Sequence, residues 1–227
     1  MILKHKNYFL FFILFFVLNN CFCQKQDSVT RFLEIGTSAN SYKGDLNSSF
    51  RIWNGSFQIG LKMNFKKRLN GHLALSYGTI SGSNLNYNFI TNDTTQATPN
   101  TFFKTRVFSI NYDIQINIFR NKNWIVYLSQ GFGFMRFTPK DANNQSLVNQ
   151  LNTRASGETY NQVALTLPTH IGFYYFLNNG YGINFQAGFL NSQTDYLDNI
   201  SLWGNRSKKD NVLWCKFSFV VPITFKK

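Results

Sequence analysis

The sequence predicts an all-β fold, an eight-stranded antiparallel up-and-down transmembrane β-barrel, and three observations predict it. Apolar and polar residues alternate along many segments, the apolar positions are rich in aromatic residues, and charged residues make up only 15% of the chain. Successive side chains of a strand point to opposite faces. A soluble sandwich usually packs an aliphatic core beneath a charged face, whereas a membrane barrel turns its apolar face to lipid and its polar face to the lumen.

Residues 161–189 show the alternation most clearly. Residues 177–180 read Leu-Asn-Asn-Gly, which is typical of a turn. We therefore predict strand six before this turn and strand seven after it, with small or polar residues on the opposite face. The apolar face is formed by Val163, Leu165, Leu167, Ile171, Phe173, Tyr175, Tyr181, Ile183, Phe185, Ala187 and Phe189.

Six further segments repeat the pattern. We predict strands one to five at residues 31–39, 53–65, 72–80, 107–118 and 124–137, and strand eight at 212–225. Strand eight is expected to pair with strand one, because closing the sheet leaves no edge exposed in lipid. Strand four is the most regular, with outward positions at Phe108, Ile110, Tyr112, Ile114, Ile116 and Ile118.

The connections alternate strictly between short and long. Short turns follow strands two, four and six, and longer loops follow strands one, three, five and seven. Outer-membrane barrels have short periplasmic turns and long external loops. We therefore expect a bacterial outer-membrane location with both termini in the periplasm. Two of the short turns are basic and carry Lys66, Lys67, Arg68, Arg120 and Lys122.

The first 23 residues have the pattern of a cleaved signal peptide. Lys4 and Lys6 precede an apolar run at residues 8–18, which is too short to span a membrane as a helix. Cleavage after Cys23 is favoured over lipid attachment at Cys21, because an asparagine stands directly before that cysteine. Residues 24–227 then form one barrel domain whose single cysteine, Cys215, cannot form an internal disulfide.

The chain is strongly basic. Its formal net charge is +13, and it becomes +11 once Lys4 and Lys6 are removed, because residues 1–23 hold no acid. Such a charge can indicate nucleic acid as a partner, but export argues against that interpretation. Anionic lipid head groups and lipopolysaccharide are the expected partners.

The inward positions of the predicted strands include charged residues. Eight strands leave an interior just wide enough for side chains to fill, so we expect a plugged polar lumen rather than an open pore. We expect Glu34 to pair with Lys216, and Asp113 to pair with Lys62 or His72. The inward polar residues are Glu34, Gln58, Lys62, His72, Asp113, Gln115, His170, Gln186 and Lys216.

The signals for catalysis are weak. His72 and His170 are the two histidines after the signal peptide, and Ser76 and Ser109 are inward nucleophile candidates. A hydrolase needs a nucleophile, a base and an orienting acid in contact, and no motif singles out such a set. Two histidines without further ligands at suitable spacing also make a poor zinc site. We predict no enzyme activity and no cofactor.

Two carboxylates lie three residues apart in the last loop. Asp195 and Asp198 could bind calcium together with loop carbonyls. Aspartates in loops more often form Asx-turns, in which the side chain accepts a backbone hydrogen bond. We favour the turn.

Two short motifs carry a family resemblance. The segment 42–47, Tyr-Lys-Gly-Asp-Leu-Asn, and the segment 194–198, Thr-Asp-Tyr-Leu-Asp, resemble small outer-membrane β-barrels of Bacteroidota, in particular the PorG-like component of the type IX secretion system. Gln186 and Leu190 stand where family members often carry an acid and an arginine. The resemblance implies a non-enzymatic role that links the outer membrane to periplasmic ring components. The motif residues are Gly44, Asp45, Asp195, Tyr196 and Asp198.

Three functional hypotheses follow. In the first, the basic short turns dock an acidic periplasmic partner, although they could equally bind lipid phosphates of the inner leaflet. In the second, the barrel stands alone and its loops, chiefly 84–100 and 140–158, bind a ligand or other cells. The third is a small pore or a lipid-modifying enzyme.

Overall fold

Nine β-strands form one closed antiparallel sheet in the computed structural model, which describes residues 31–63, 67–88, 98–178, 180–205 and 209–223. The predicted signal peptide and Lys66 lie outside these residues. The described chain contains no helix long and apolar enough to cross a membrane. The strands are β1 Arg31–Lys43, β2 Trp53–Met63, β3 Leu69–Ser83, β4 Phe102–Arg120, β5 Trp124–Lys140, β6 Val163–Thr166, β7 Thr169–Phe176, β8 Gly182–Phe189 and β9 Asn211–Ile223.

The sheet closes into an eight-stranded barrel, as the sequence predicts. Strands that are neighbours in sequence pair, apart from β6 and β7, and β1 pairs with β9 along its whole length, from Arg31↔Ile223 to Lys43↔Asn211. β6 and β7 both pair with β5, so together they occupy one of the eight strand positions of the barrel. In lipid, such closure satisfies the backbone groups that an open edge would leave without partners.

The prediction of one continuous strand six is wrong, because the chain is interrupted between β6 and β7. Pro168 has no N–H to donate to the ladder, and its carbonyl accepts from Gly131 N at 2.8 Å. The N–H of Leu167 instead donates to the carbonyl of Asn191, at 3.2 Å. The proline therefore interrupts the hydrogen-bond ladder, while its carbonyl still bonds to β5, with which both β6 and β7 pair.

The predicted alternation is confirmed. Outward side chains are exposed and inward ones are buried along β4, β5 and β7 in a strict period of two. A soluble monomer rarely exposes apolar surface of this extent, whereas a membrane barrel exposes such a band to lipid. The outward residues include Leu73, Leu75, Tyr77, Phe108, Ile110, Ile114, Leu128, Phe132, Phe134, Ile171, Phe173, Phe185, Phe217 and Phe219.

Several strands are longer than predicted at the end that carries the long loops. β4 begins at Phe102 rather than residue 107, and β5 continues to Lys140 rather than residue 137. Three of the added outward positions, Lys104, Arg106 and Lys140, are charged, so these segments resemble a loop in a search for apolar alternation. The ladder nevertheless continues through them, with Lys104 opposite Lys140.

The lumen is layered, which corrects the prediction of a purely polar interior. A polar layer lies in the middle, between two apolar clusters. The cluster at the short-turn end contains Phe32, Ile125, Tyr127, Tyr174, Phe176 and Val220. The cluster at the long-loop end combines strand residues such as Phe137 and Trp214 with loop residues such as Leu46 and Leu197. Side chains fill the interior, as expected for eight strands.

Glycines make room for the large inward side chains. A Cβ added at Gly172 would lie 2.2 Å from the Tyr127 ring, whereas a Cβ at Gly55 would meet no atom within 4 Å. We expect Gly172→Val to destabilise the barrel by about 1–3 kcal/mol, because the packed ring cannot move away freely. Urea unfolding in detergent would measure this, with Gly55→Val as the control. Equal stability of the two variants would contradict tight packing around Tyr127.

Candidate functional site: the lumen and the latched mouth

The structure places all nine predicted inward polar residues inside the barrel, each at most 6% exposed. His72 lies between two carboxylates, with Nδ1 at 3.1 Å from Asp113 Oδ2 and Nε2 at 3.6 Å from Glu34 Oε2. Glu34 also accepts hydrogen bonds from Tyr174 Oη and, at 2.8 Å, from Asn184 Nδ2. Of the two partners predicted for Asp113, the structure gives His72.

The predicted pairing of Glu34 with Lys216 is wrong. Glu34 lies opposite Val220, while Lys216 lies opposite Ser38, four residues further along β1. Four residues span roughly 13 Å of strand, which is too far for an ion pair. The Nζ of Lys216 instead lies 4.1 Å from the centroid of the Trp214 ring.

Lys62 and His170 also have partners that the sequence does not suggest. Lys62 donates to Gln115 Oε1, and its Nζ lies 4.4 Å from the ring centroid of Tyr174. His170 stacks on Trp214 at 6.3 Å, and within the described part of the chain its two ring nitrogens have no hydrogen-bond partner. Cation–π contacts let an inward lysine lie among aromatic residues.

The hydrolase candidates are not assembled in the lumen. Ser76 Oγ bonds to Ser109 Oγ at 2.7 Å rather than to a histidine. Ser76 lies opposite Ser109 and His72 lies opposite Asp113, so the hydroxyl pair and the imidazole stand four residues apart along the strands. Both are buried, and the apolar clusters above and below separate them from solvent.

The described part of the last loop, residues 190–205 and 209–210, folds into the barrel mouth, although the sequence predicts only a long external loop. Leu197 is fully buried, and Ile200 and Trp203 are at most 4% exposed. These side chains complete the apolar cluster at the long-loop end. The loop therefore caps the lumen.

Tyr42 fastens this cap to the barrel wall. Its hydroxyl lies 2.7 Å from Asp198 Oδ2 and 2.8 Å from Asp210 Oδ1, and we call these three residues the mouth latch. A tyrosine hydroxyl has a single proton to donate, so only one of the two contacts can be a hydrogen bond from the tyrosine. The other is a hydrogen bond only when the carboxyl group carries a proton.

Burial of the Asp198 and Asp210 carboxyl groups favours the protonated form. Burial raises the pKa of the Asp198 carboxyl above its ordinary value. Burial, followed by the charge of Asp198, raises the pKa of Asp210 well above its ordinary value. Both carboxylates are removed from water and face each other across one hydroxyl, which disfavours a doubly ionised pair.

The two family-like motifs meet at this latch. Asp198 Oδ2 accepts from the N–H of Leu46 at 3.2 Å, and Asp198 Oδ1 accepts from the N–H of Ile200 at 2.9 Å. The second bond closes an Asx-turn, the alternative favoured over calcium. Gly44 is required beside the latch, since a Cβ there would lie 1.9 Å from Tyr42 Oη.

The other motif residues hold the loops together. Tyr196 Oη donates to Glu158 Oε1 at 2.8 Å, and Ser201 Oγ donates to Asp195 Oδ2 at 3.0 Å. Asp45 Oδ1 accepts from the N–H of Asn205 at 2.9 Å. In the described residues, no group of three or more His, Cys, Asp or Glu side chains could hold a metal ion.

Sequence reasoning missed three of the residues that build the mouth. In the sequence, Tyr42 is only the first residue of the 42–47 motif, and Asp210 lies in the predicted last loop. Asn199, in the left-handed region at φ 73°, donates to Thr153 Oγ1 at 2.8 Å and accepts from Tyr160 Oη at 2.9 Å. An aspartate directly before the closing strand was the available signal for Asp210, whereas nothing in the sequence marks Asn199.

A cleft of about 590 Å³ opens beside the latch, between the first and last loops and the outer wall. Its lining combines cations, carboxylates and aromatic rings. Burial raises the pKa of Asp195 to about 6, partly offset by its bond from Ser201. The lining includes Lys43, Asp45, Phe50, Tyr87, Asp195 and Lys209.

The short-turn end presents the predicted basic residues. Lys67, Arg68, Arg120 and Lys122 are exposed. Asn117 fixes the first of the two turns, because its side-chain amide donates to the Lys67 carbonyl at 3.0 Å and its N–H donates to the Arg68 carbonyl at 2.9 Å. The described basic side chains therefore extend from an ordered backbone.

Comparison with known proteins shows the fold. No protein-family model and no curated protein matches this chain. The crystal structure of Ail, the attachment invasion locus protein of Yersinia pestis, in complex with the heparin analogue sucrose octasulfate has a TM-score of 0.50 at 10% identity, covering 87% of this chain and 100% of that one. Neisserial surface protein A gives 0.49 at 12% identity, with 88% and 100% covered.

OprG from Pseudomonas aeruginosa is also similar, with a TM-score of 0.43 at 11% identity and 88% and 98% of the two chains covered. At such identities the likeness concerns the fold alone. The chain has the fold of a small eight-stranded outer-membrane β-barrel, and the resemblance to the PorG-like component stays a prediction.

The mouth latch should loosen as pH rises. The folded latch retains a proton that the unfolded chain releases above its ordinary carboxyl pKa of 3.8. The stability due to this proton is thus fully present below that value and is lost as pH rises through the raised pKa values. The Leu197 amide donates to Asp210 Oδ2 at 2.8 Å, so its hydrogen exchange measures how often the mouth latch opens.

We expect Leu197 exchange, corrected for its intrinsic rate, to accelerate as pH rises above 3.8 and through the raised pKa of Asp198, about 7, in the wild type, and to do so less in Asp210→Asn. Asp141→Asn is the control, because hydrogen bonds lower the pKa of that exposed loop carboxyl instead. Identical pH profiles for wild type and Asp210→Asn would refute the shared proton.

Proposed function

We propose that this chain is a non-enzymatic outer-membrane barrel that acts as a docking component of a protein-secretion complex of the type IX kind. One observation carries the proposal. The lumen is filled by side chains and capped by the last loop, so the barrel has its outer surfaces left for interaction. The long loops face outside and both termini face the periplasm, as in other outer-membrane barrels.

The short-turn end supports docking by its charge. Lys67, Arg68, Arg120 and Lys122 are exposed on neighbouring turns, and the Arg68 and Lys67 carbonyls are held by Asn117 of β4. A shallow cleft of about 400 Å³, lined by Arg120, Lys122, Ile125 and Phe176 among others, lies beside them. A basic surface of this kind attracts an acidic partner and speeds its association.

A charge reversal tests the docking surface. We expect Lys67→Glu with Arg68→Glu to reduce recovery of periplasmic ring proteins in a tagged pull-down about tenfold or more. Charges at the edge of an interface govern how fast two proteins associate, and the reversed charges would repel an acidic partner. The matched control is Lys43→Glu with Arg51→Glu, which reverses two exposed cations at the opposite end. Both variants must show the heat-modifiable gel mobility of a folded barrel. Undiminished recovery with the first variant would contradict docking through this surface.

Binding by the loops is the second candidate, and the cleft beside the latch favours it. Lys43 and Phe50 line this cleft, with the Lys43 Nζ 5.8 Å from the Phe50 ring centroid. If the loops bind a ligand, Lys43→Ala with Phe50→Ala should abolish whole-cell binding and leave secretion intact. Docking predicts no effect of this variant on secretion-ring recovery.

The pore alternative conflicts with the filled lumen. Tyr127 and Tyr174 stack at 4.9 Å across the short-turn end, and the loop residues Leu197 and Ile200 cover the long-loop end. We expect no single-channel conductance in planar bilayers. Steady conductance steps from purified, folded protein would revive the pore and weaken the docking proposal.

A further inference from the structure

Four cations lie on the outer wall of the barrel where β4 and β5 approach the long loops. Lys104, Arg106 and Arg136 are exposed and Lys140 is half-exposed, all at outward positions. Lys104 stands directly opposite Lys140, and Arg136 stands opposite Phe108, which follows Arg106 by two residues. We call these four residues the rim patch.

The described residues leave the rim patch without a counter-charge. The pairing of Lys104 with Lys140 sets like charges face to face across the ladder, an arrangement that destabilises a sheet. None of the four forms an ion pair with a described acid. The adjacent Asp141 directs its carboxylate into its own loop, accepting from Gln145 N at 2.8 Å and from Gln150 Nε2 at 2.9 Å.

The neighbouring outward positions are polar or apolar rather than acidic. Lys104 lies opposite Ser81 and Arg106 opposite Thr79 on β3, and Arg136 lies opposite Val163 on β6. Among the described residues this cluster is unbalanced, and such a cluster is expected to attract an anion.

The position of the rim patch indicates which anion. Directly toward the barrel middle the same two strands present Phe108, Ile110, Phe132 and Phe134, each at least 42% exposed. The patch therefore stands at the border between the lipid-facing band and the loops. A cation on the lipid face is costly at the membrane centre and nearly free at the interface, and long basic side chains extend toward the head groups there.

The guanidinium groups fit phosphate. Arginine binds phosphate through two parallel hydrogen bonds, and two lysines beside it add point charge. Arg136 and Lys140 are four residues apart, about 13 Å along the strand, so the patch is long enough to engage more than one phosphate. A lipid with a single phosphate would occupy only part of it.

We infer that the rim patch is a binding site for a glycolipid of the lipid A class that carries more than one phosphate. Its phosphates contact Lys104, Arg106, Arg136 and Lys140, and its acyl chains lie against Phe108 and the other aromatic residues below. The inference rests on the orientation with the long loops outside, and it does not depend on docking at the short-turn end.

Binding of purified lipids to the folded barrel in detergent tests the site. The test variant is Lys104→Gln, Arg106→Gln, Arg136→Gln and Lys140→Gln combined. The matched control replaces Lys67, Arg68, Arg120 and Lys122 by glutamine, which removes four cations from the other end. Native mass spectrometry counts the bound lipids, and the probes are bisphosphorylated lipid A, lipid A without phosphates, and phosphatidylglycerol.

We expect bisphosphorylated lipid A to bind the wild type and the control alike, and to bind the rim-patch variant about 100-fold or more weakly, since each cation near a charged lipid surface adds to the attraction. Lipid A without phosphates should bind all three proteins weakly. Equal weakening in the control, or equal binding by the rim-patch variant, would overturn the site.

Two further results decide the ligand and the geometry. Phosphatidylglycerol binding as tightly as bisphosphorylated lipid A would overturn the assignment to a glycolipid. Arg106→Lys with Arg136→Lys retains the charge but loses the paired hydrogen bonds, so it should bind lipid A with an affinity between those of the wild type and the glutamine variant. Wild-type affinity in this variant would contradict phosphate recognition by the guanidinium groups.

Discussion

The pairing of β1 with β9 is the constraint on which the rest of this structure depends. It runs along all of β1 and removes the last open edge of the sheet. Every strand position then has two hydrogen-bonded neighbours, as a strand in lipid requires, because no water is present there to bond its backbone groups. Closure also fixes the interior at a width that side chains must fill. The same register sets Tyr42 opposite Val212, two residues from Asp210, and thereby brings the tyrosine hydroxyl into reach of the mouth latch. Membrane closure and the capping of the lumen thus depend on one ladder.

The interior and the exterior of the barrel therefore have different roles. Inside, the polar layer around His72 and the apolar clusters on either side of it stabilise a solid core. Outside, the surface divides into the apolar band, the basic short turns and the rim patch, with the loop cleft at the top. These surfaces are where a partner or a lipid meets the barrel, and the proposed binding sites lie there. Most of the described lysines and arginines lie on these surfaces, and the buried exceptions are Lys62, Arg154 and Lys216.

Much of this fold could be predicted because alternation is a local signal. β7 carries it without interruption and β4 carries it over residues 107–118, and the lengths of the connections reveal the hairpin order. The split at Pro168 and the outward charges at Lys104 and Lys140 interrupt the apolar pattern, so strand ends and continuity were misjudged. The predicted pairing of Glu34 with Lys216 is wrong because it depends on the exact register between β1 and β9. The alternation of apolar and polar residues does not reveal that register. The folding of Leu197 and Ile200 into the mouth is a long-range event, and the sequence shows only that apolar residues occur in the loop.

The separate roles of interior and exterior depend on a sealed lumen, which thiol accessibility can measure. Ser218 faces the lumen at 1% exposure, where its hydroxyl accepts from Gln58 Nε2 at 2.7 Å. Ser218→Cys and, as a control, Ser83→Cys at the exposed end of β3 would each be made in a Cys215→Ser background and treated with a charged maleimide in folded barrels. The account predicts rapid labelling at position 83 and none at position 218 until the barrel is unfolded. Labelling at position 218 at a comparable rate in the folded protein would contradict the sealed lumen and remove the ground for a role carried by the outer surfaces.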